Sequence, residues 1–143
     1  MNIQDFCKNS EQTVKVMLSV DDEDCFIEVF GVRSSKYSDA VSWFKRACGQ
    51  KVAAGETLIT KTEVMGEVVT IKSDTYKKLA AIQVAQIVSS WGFIEELTVE
   101  SAADLLIRSP SLMDAIDDKI TLMAYEDAEA KKQQAKPQKA SSS

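Results

Sequence analysis

The chain contains no histidine, which removes the commonest general base and the commonest metal ligand among side chains. It has no apolar run near the roughly 20 residues that cross a bilayer, so no membrane helix is expected. Acidic residues outnumber basic ones, 22 to 17, for a net charge of −5. Nucleic-acid affinity depends chiefly on Lys and Arg neutralising phosphates, so an acidic chain with no basic stripe argues against such a partner. Cysteine is scarce. Cys7, Cys25 and Cys48 are widely spaced, match no zinc-site pattern, and read as small apolar packing residues of a reducing compartment. Glycine-rich phosphate loops, nucleophile elbows and Cys-x-x-Cys pairs are also missing. Met1-Asn2-Ile3-Gln4-Asp5 lacks the basic start and apolar core of a signal peptide, so the chain is expected to stay in the cytoplasm where it is made. No internal repeat is present. These absences point away from an enzyme and imply no cofactor and no metal.

What remains is an ordinary globular composition, 45% hydrophobic and 27% charged. Its length suits one domain, read here as residues 1–126 followed by a tail, 127–143. The expected fold class is α+β: an N-terminal β-hairpin, a mainly helical body and a disordered C-terminal tail. Residues 1–12 are mostly polar and show no clear periodicity, with Phe6 a residue that can tuck onto the body. Thr13–Val20 alternates strictly, with Val14, Val16, Leu18 and Val20 on one side, as a half-buried strand does. Cys25–Val32 follows as a second strand after Asp21-Asp22-Glu23-Asp24. That acidic run lacks the alternating ligands and closing glutamate of an EF-hand and reads as a solvated hairpin turn.

Ser34, Ser35 and Ser38 are candidate caps for a helix running to about Gln50. Val41, Phe44 and Cys48 mark its expected buried face, with Ala40 and Val52 at the edges. Trp43 projects from nearly the opposite side. It either packs beneath the 57–72 segment or serves as an exposed aromatic anchor for a partner. Thr57–Lys72 is rich in β-branched residues and broken by Met65-Gly66. It reads as a second hairpin, the alternative being extension of the neighbouring helices.

The strongest helical pattern is Ser73–Trp91, capped by Ser73 or Asp74. At about 100° per residue, Tyr76, Ala80, Ala81, Val84, Ile87, Val88 and Trp91 share a face. Leu79 and Ile82 lie nearly opposite, so this helix is expected to be central and sandwiched, ending at Gly92. Thr98 then caps a helix with the stripe Val99, Ala102, Ala103 and Leu106. Ser109-Pro110 starts another, with proline at the first helical position, where its missing N–H costs nothing. Leu112, Ala115, Ile116, Ile120 and Met123 carry its stripe. Asp114, Asp117 and Asp118 fall on the opposite, water-facing side. Beyond about Glu126 there is almost nothing to bury.

A helix ending in Ser90-Trp91-Gly92-Phe93, a short link, then Leu97-Thr98-Val99-Glu100-Ser101-Ala102-Ala103-Asp104-Leu105-Leu106 and Ser109-Pro110-Ser111-Leu112-Met113-Asp114-Ala115-Ile116 is an arrangement that resembles the tail assembly chaperones of long-tailed bacteriophages. In that family a tryptophan-containing turn precedes a Thr/Ser-capped helix, a Pro-bearing break and a last helix. The resemblance implies a non-enzymatic protein of the host cytoplasm that binds the tape-measure protein and helps recruit tail-tube subunits. It carries over no residue-level binding site; Trp43 is the partner-binding candidate on its own placement. A second reading is a structural component of the particle, such as a tail-completion or connector protein. Homo-oligomer formation is left open.

Overall fold

Alternation in the first two apolar runs produces the hairpin it implies. Strand β1 (Thr13–Met17) pairs antiparallel with β2 (Phe26–Phe30), Thr13 facing Phe30 and Met17 facing Phe26. Val16, Ile27 and Val29 are buried, while Lys15 and Met17 face water. The computed structural model describes residues 2–3, 13–19, 21–22 and 24–141, without the side chains of 127, 131 and 133–141. Phe6, Cys7 and Val20 therefore lie outside the described residues.

Helix α1 (Ser35–Ala53) starts at Ser34, whose buried hydroxyl accepts from the Lys36 N–H. It ends in a glycine cap. Gly55 takes φ +91° and donates its N–H to the Val52 carbonyl, while the Ala54 and Glu56 N–H groups close back on the Gln50 and Lys51 carbonyls. Gly49 lies inside the helix and does not punctuate it. Strands β3 (Ile59–Val64) and β4 (Glu67–Lys72) form the second hairpin. Helix α2 (Asp74–Ala85) is capped by the Ser73 hydroxyl, which accepts from the Tyr76 N–H at 3.1 Å.

The expected 73–91 helix stops at Ala85. Residues Val88–Trp91 are strand β5, antiparallel to β2 and completing a three-stranded sheet ordered β1-β2-β5. The periodicity placed Ile87, Val88 and Trp91 correctly on the core side but misassigned their backbone. Continuing the helix would leave the edge of β2 unpaired, and a β-branched pair followed by two serines is weak helix material. The pairing is supported on both sides. Phe30 N–H donates to the Ile87 carbonyl (2.8 Å), and Gly92 N–H donates to the Phe26 carbonyl (3.0 Å). The Glu28 carboxylate accepts from Thr13 and Ser90 hydroxyls, each at 2.9 Å, tying all three strands together.

Gly92 is not a left-handed helix cap; only Gly55 and Gly66 among the described glycines have positive φ. It is needed for room. A Cβ there would collide with the Asp24 carbonyl oxygen.

Helix α3 (Val99–Arg108) begins at Thr98, with a reciprocal capping box to Ser101. It buries Ala102, Ala103 and Leu106 but leaves Val99 in water. Helix α4 (Pro110–Ser141) opens with proline as expected and buries Ile116 fully. Helix α2 packs between α1 and α3, and α4 lies over β1 and α3. The core joins Val16, Ile27, Val29, Val84, Leu106 and Ile116 across sheet and helices. The fold is α+β with an N-terminal hairpin and a mainly helical body. Beyond Ala124 the described side chains of α4 are exposed apart from a half-buried Glu129, so those side chains add nothing to the core. Among the described residues no helix is long and apolar enough to cross a membrane.

Candidate interaction surface

The β3–β4 hairpin turns through Met65 and Gly66, both with positive φ (53° and 82°). That is the geometry whose twist suits a two-residue hairpin. Glycine enters it freely; methionine at such an angle costs roughly 1–2 kcal/mol. Met65 is also wholly exposed (100%), so neither backbone preference nor burial explains its presence.

Every residue of β3 and β4 is exposed, and among the described residues the pair has no third strand. Cross-strand register places Thr60, Thr62, Val64, Val69 and Ile71 on one face, with Glu67 at the tip. Ile59, Lys61, Glu63, Val68, Thr70 and Lys72 occupy the other. Val68 is 72% exposed. A two-stranded ribbon with both faces in water is marginal by itself.

At its base the hairpin meets an open apolar cleft of about 690 Å³. Phe44, Cys48 and Val52 line it from α1, with Leu58, Ile59 and Tyr76 opposite. Phe44 and Tyr76 pack edge to face at 5.5 Å. The expected buried face of α1 is thereby corrected. Of its members Ala40 alone is buried; Val41, Phe44 and Cys48 are half-buried and Val52 is 59% exposed. The stripe is real, but the segment able to cover it stands off as a hairpin. Ile59 belongs to both features, so cleft and hairpin form one apolar tract.

Trp43 is half-buried on α1 and is absent from the core and from the residues packed against it. Trp91 and Phe93 do pack against the core, with their two rings edge to face at 5.2 Å.

The polar clusters have structural explanations. Asp22 accepts from the Asp24 N–H within the first turn. On α4, partial desolvation, then the Asp114 and Asp118 charges, hold the Asp117 carboxyl above its usual range, with Lys72 opposing them. Burial in the cleft pushes the Cys48 thiol up, away from the thiolate form. Cys25 and Cys48 are free and half-buried. Among the described residues no cluster of His, Cys, Asp and Glu is arranged to hold a metal ion.

The sequence carried a signal for this tract. Phe44, Cys48 and Val52 recur every fourth residue, and the hairpin has apolar residues on both faces instead of on one. Comparison with protein-family models, with curated proteins and with solved structures finds no match to this chain.

Proposed function

We propose that the protein is a tail assembly chaperone of a long-tailed bacteriophage. It is a non-enzymatic protein that binds the tape-measure protein in the host cytoplasm until tail-tube subunits replace it. The observation that carries this reading is the uncovered apolar tract running from the α1 cleft to the β3–β4 hairpin. A contiguous apolar surface of this kind marks an interaction site. An amphipathic helix laid in the cleft would bury its stripe against Phe44, Val52, Ile59 and Tyr76, the usual helix-in-groove mode. Trp43, on the opposite side of the same helix and outside the cleft lining, would be a second, separate anchor. The capped helix after Thr98, the break at Pro110 and the last helix keep the order of the resemblance. Its first part departs from it, because Ser90-Trp91 ends a strand.

Co-expression with the tape-measure protein of the same phage tests the proposal. Capture of that protein by the wild-type chain, and loss of capture by a folded Val52→Asp variant, is the expected result. Unchanged capture by folded Val52→Asp and Trp43→Ala variants overturns the site. Stoichiometric recovery of the chain from purified particles overturns the chaperone role and favours a structural component.

A further inference from the structure

The hairpin carries a second property that does not depend on the chaperone reading. We propose that the outer edge of β3 pairs with the same edge of a second copy, antiparallel about a two-fold axis through Thr62. Two hairpins thereby join as one four-stranded sheet.

The backbone supplies the edge. Pairing runs from Val64 opposite Glu67 down to Ile59 opposite Lys72, and one step further the Ser73 N–H donates to the Leu58 carbonyl at 2.9 Å. Hydrogen-bonded and non-bonded pairs alternate along an antiparallel ladder. Leu58, Thr60, Thr62 and Val64 therefore spend their backbone groups on β4. Ile59, Lys61 and Glu63 direct theirs outward, with no strand among the described residues to receive them. Such an edge is a template for another strand.

Charge selects the register. A two-fold axis perpendicular to the sheet sets residues of the same face opposite one another, so it must pass through a residue position. Centred on Lys61 or Glu63, that residue would oppose its own charge, which is destabilising. Centred on Thr62, Lys61 faces Glu63 of the second copy and Glu63 faces its Lys61. Both contacts are opposite-charge pairs, and both fall at outward-directed, hydrogen-bonding positions. Neither residue forms an ion pair within the described chain. The outer edge of β4 offers no equivalent: centred on Thr70, it sets Val68 against Lys72. Thr62 is also close to the middle of β3, so this register uses most of the strand. The threonine-lined faces of both hairpins then lie on one side of the joined sheet.

Sedimentation equilibrium of the full chain, with charge-swap variants, tests the pairing. Lys61→Glu and Glu63→Lys each turn both cross-strand pairs repulsive, and each should weaken dimerisation about tenfold or more. Mixing the two variants places Glu opposite Lys at every pair, and should restore a heterodimer. Both positions are exposed, and circular dichroism of each variant verifies the fold. As an independent readout, Thr62→Cys lies at the axis in a non-bonded pair, where Cα atoms sit about 4.5 Å apart, within disulfide reach. Oxidation should give a dimer whose linked peptides join residue 62 to residue 62. A monomeric wild type, single variants that associate like wild type, a mixture no stronger than its components, or absence of the 62–62 link each overturns the proposal. Pairing of β3 with a strand of another protein by a monomeric chain overturns it in favour of that occupant.

Discussion

Replacing Gly92 by alanine separates the strand observed at 88–91 from the helix that periodicity suggests. The added methyl would collide with the Asp24 carbonyl oxygen and press on the Phe26 ring, 3.2 Å away. The carbonyl belongs to backbone between the hairpin turn and β2. Relief therefore requires moving the turn or releasing the bond from Gly92 N–H to the Phe26 carbonyl. Overpacking of this kind costs about 2–3 kcal/mol, or a fall in Tm of about 6–9 °C for a chain of this size. Were Gly92 a helix cap with positive φ, the cost would be about 1 kcal/mol. Gly49→Ala is the control. It lies inside α1, nothing is within 4 Å of its Cβ position, and alanine should stabilise by about 0.5–1 kcal/mol. Urea titrations of the two variants decide the matter. A Gly92→Ala loss below about 1 kcal/mol refutes the strand packing.

Four further outcomes are expected. Ile116→Ala should cost about 2–5 kcal/mol because its side chain is fully buried, whereas Val52→Ala should cost less than about 0.5 kcal/mol; similar losses in denaturant titration would return the α1 stripe to the core. Trp43→Ala should weaken binding to the tape-measure partner by more than about 1 kcal/mol in a titration, and a stability loss with unchanged affinity per folded molecule would make it a packing residue. Removing 131–143 should leave Tm within about 2 °C, since a terminus whose sequence has no apolar periodicity contributes little, and a larger fall by calorimetry would show that the tail docks. Because the folded-state pKa of Asp117 is raised, its ionisation opposes folding; Asp117→Asn should be the more stable at pH 7, with the advantage shrinking as pH drops through the raised pKa and vanishing below about 3.9, and an advantage that grows on acidification in paired urea titrations would show the sign to be wrong.

Sequence by itself determined the features settled within a few residues. Ser73 and Thr98 cap helices because a hydroxyl at the N-cap position meets N–H groups two or three residues on. Pro110 begins α4 because the first turn needs no N–H from it. Strict alternation fixed the faces of β1, and Met65-Gly66 placed the turn of the second hairpin. Tertiary structure alone decided what depends on partners distant in the chain. Ile87, Val88 and Trp91 have the spacing of a helix face; the irregular pairing opposite Glu28 and Val29 brings Val88 and Trp91 to one side of the strand, and the open edge of β2 made the choice. The Phe44, Cys48 and Val52 stripe shows that α1 has an apolar side, but periodicity cannot say whether anything covers it. That side stays open because residues 59–72 pair strand against strand, in a ribbon that buries none of its own residues.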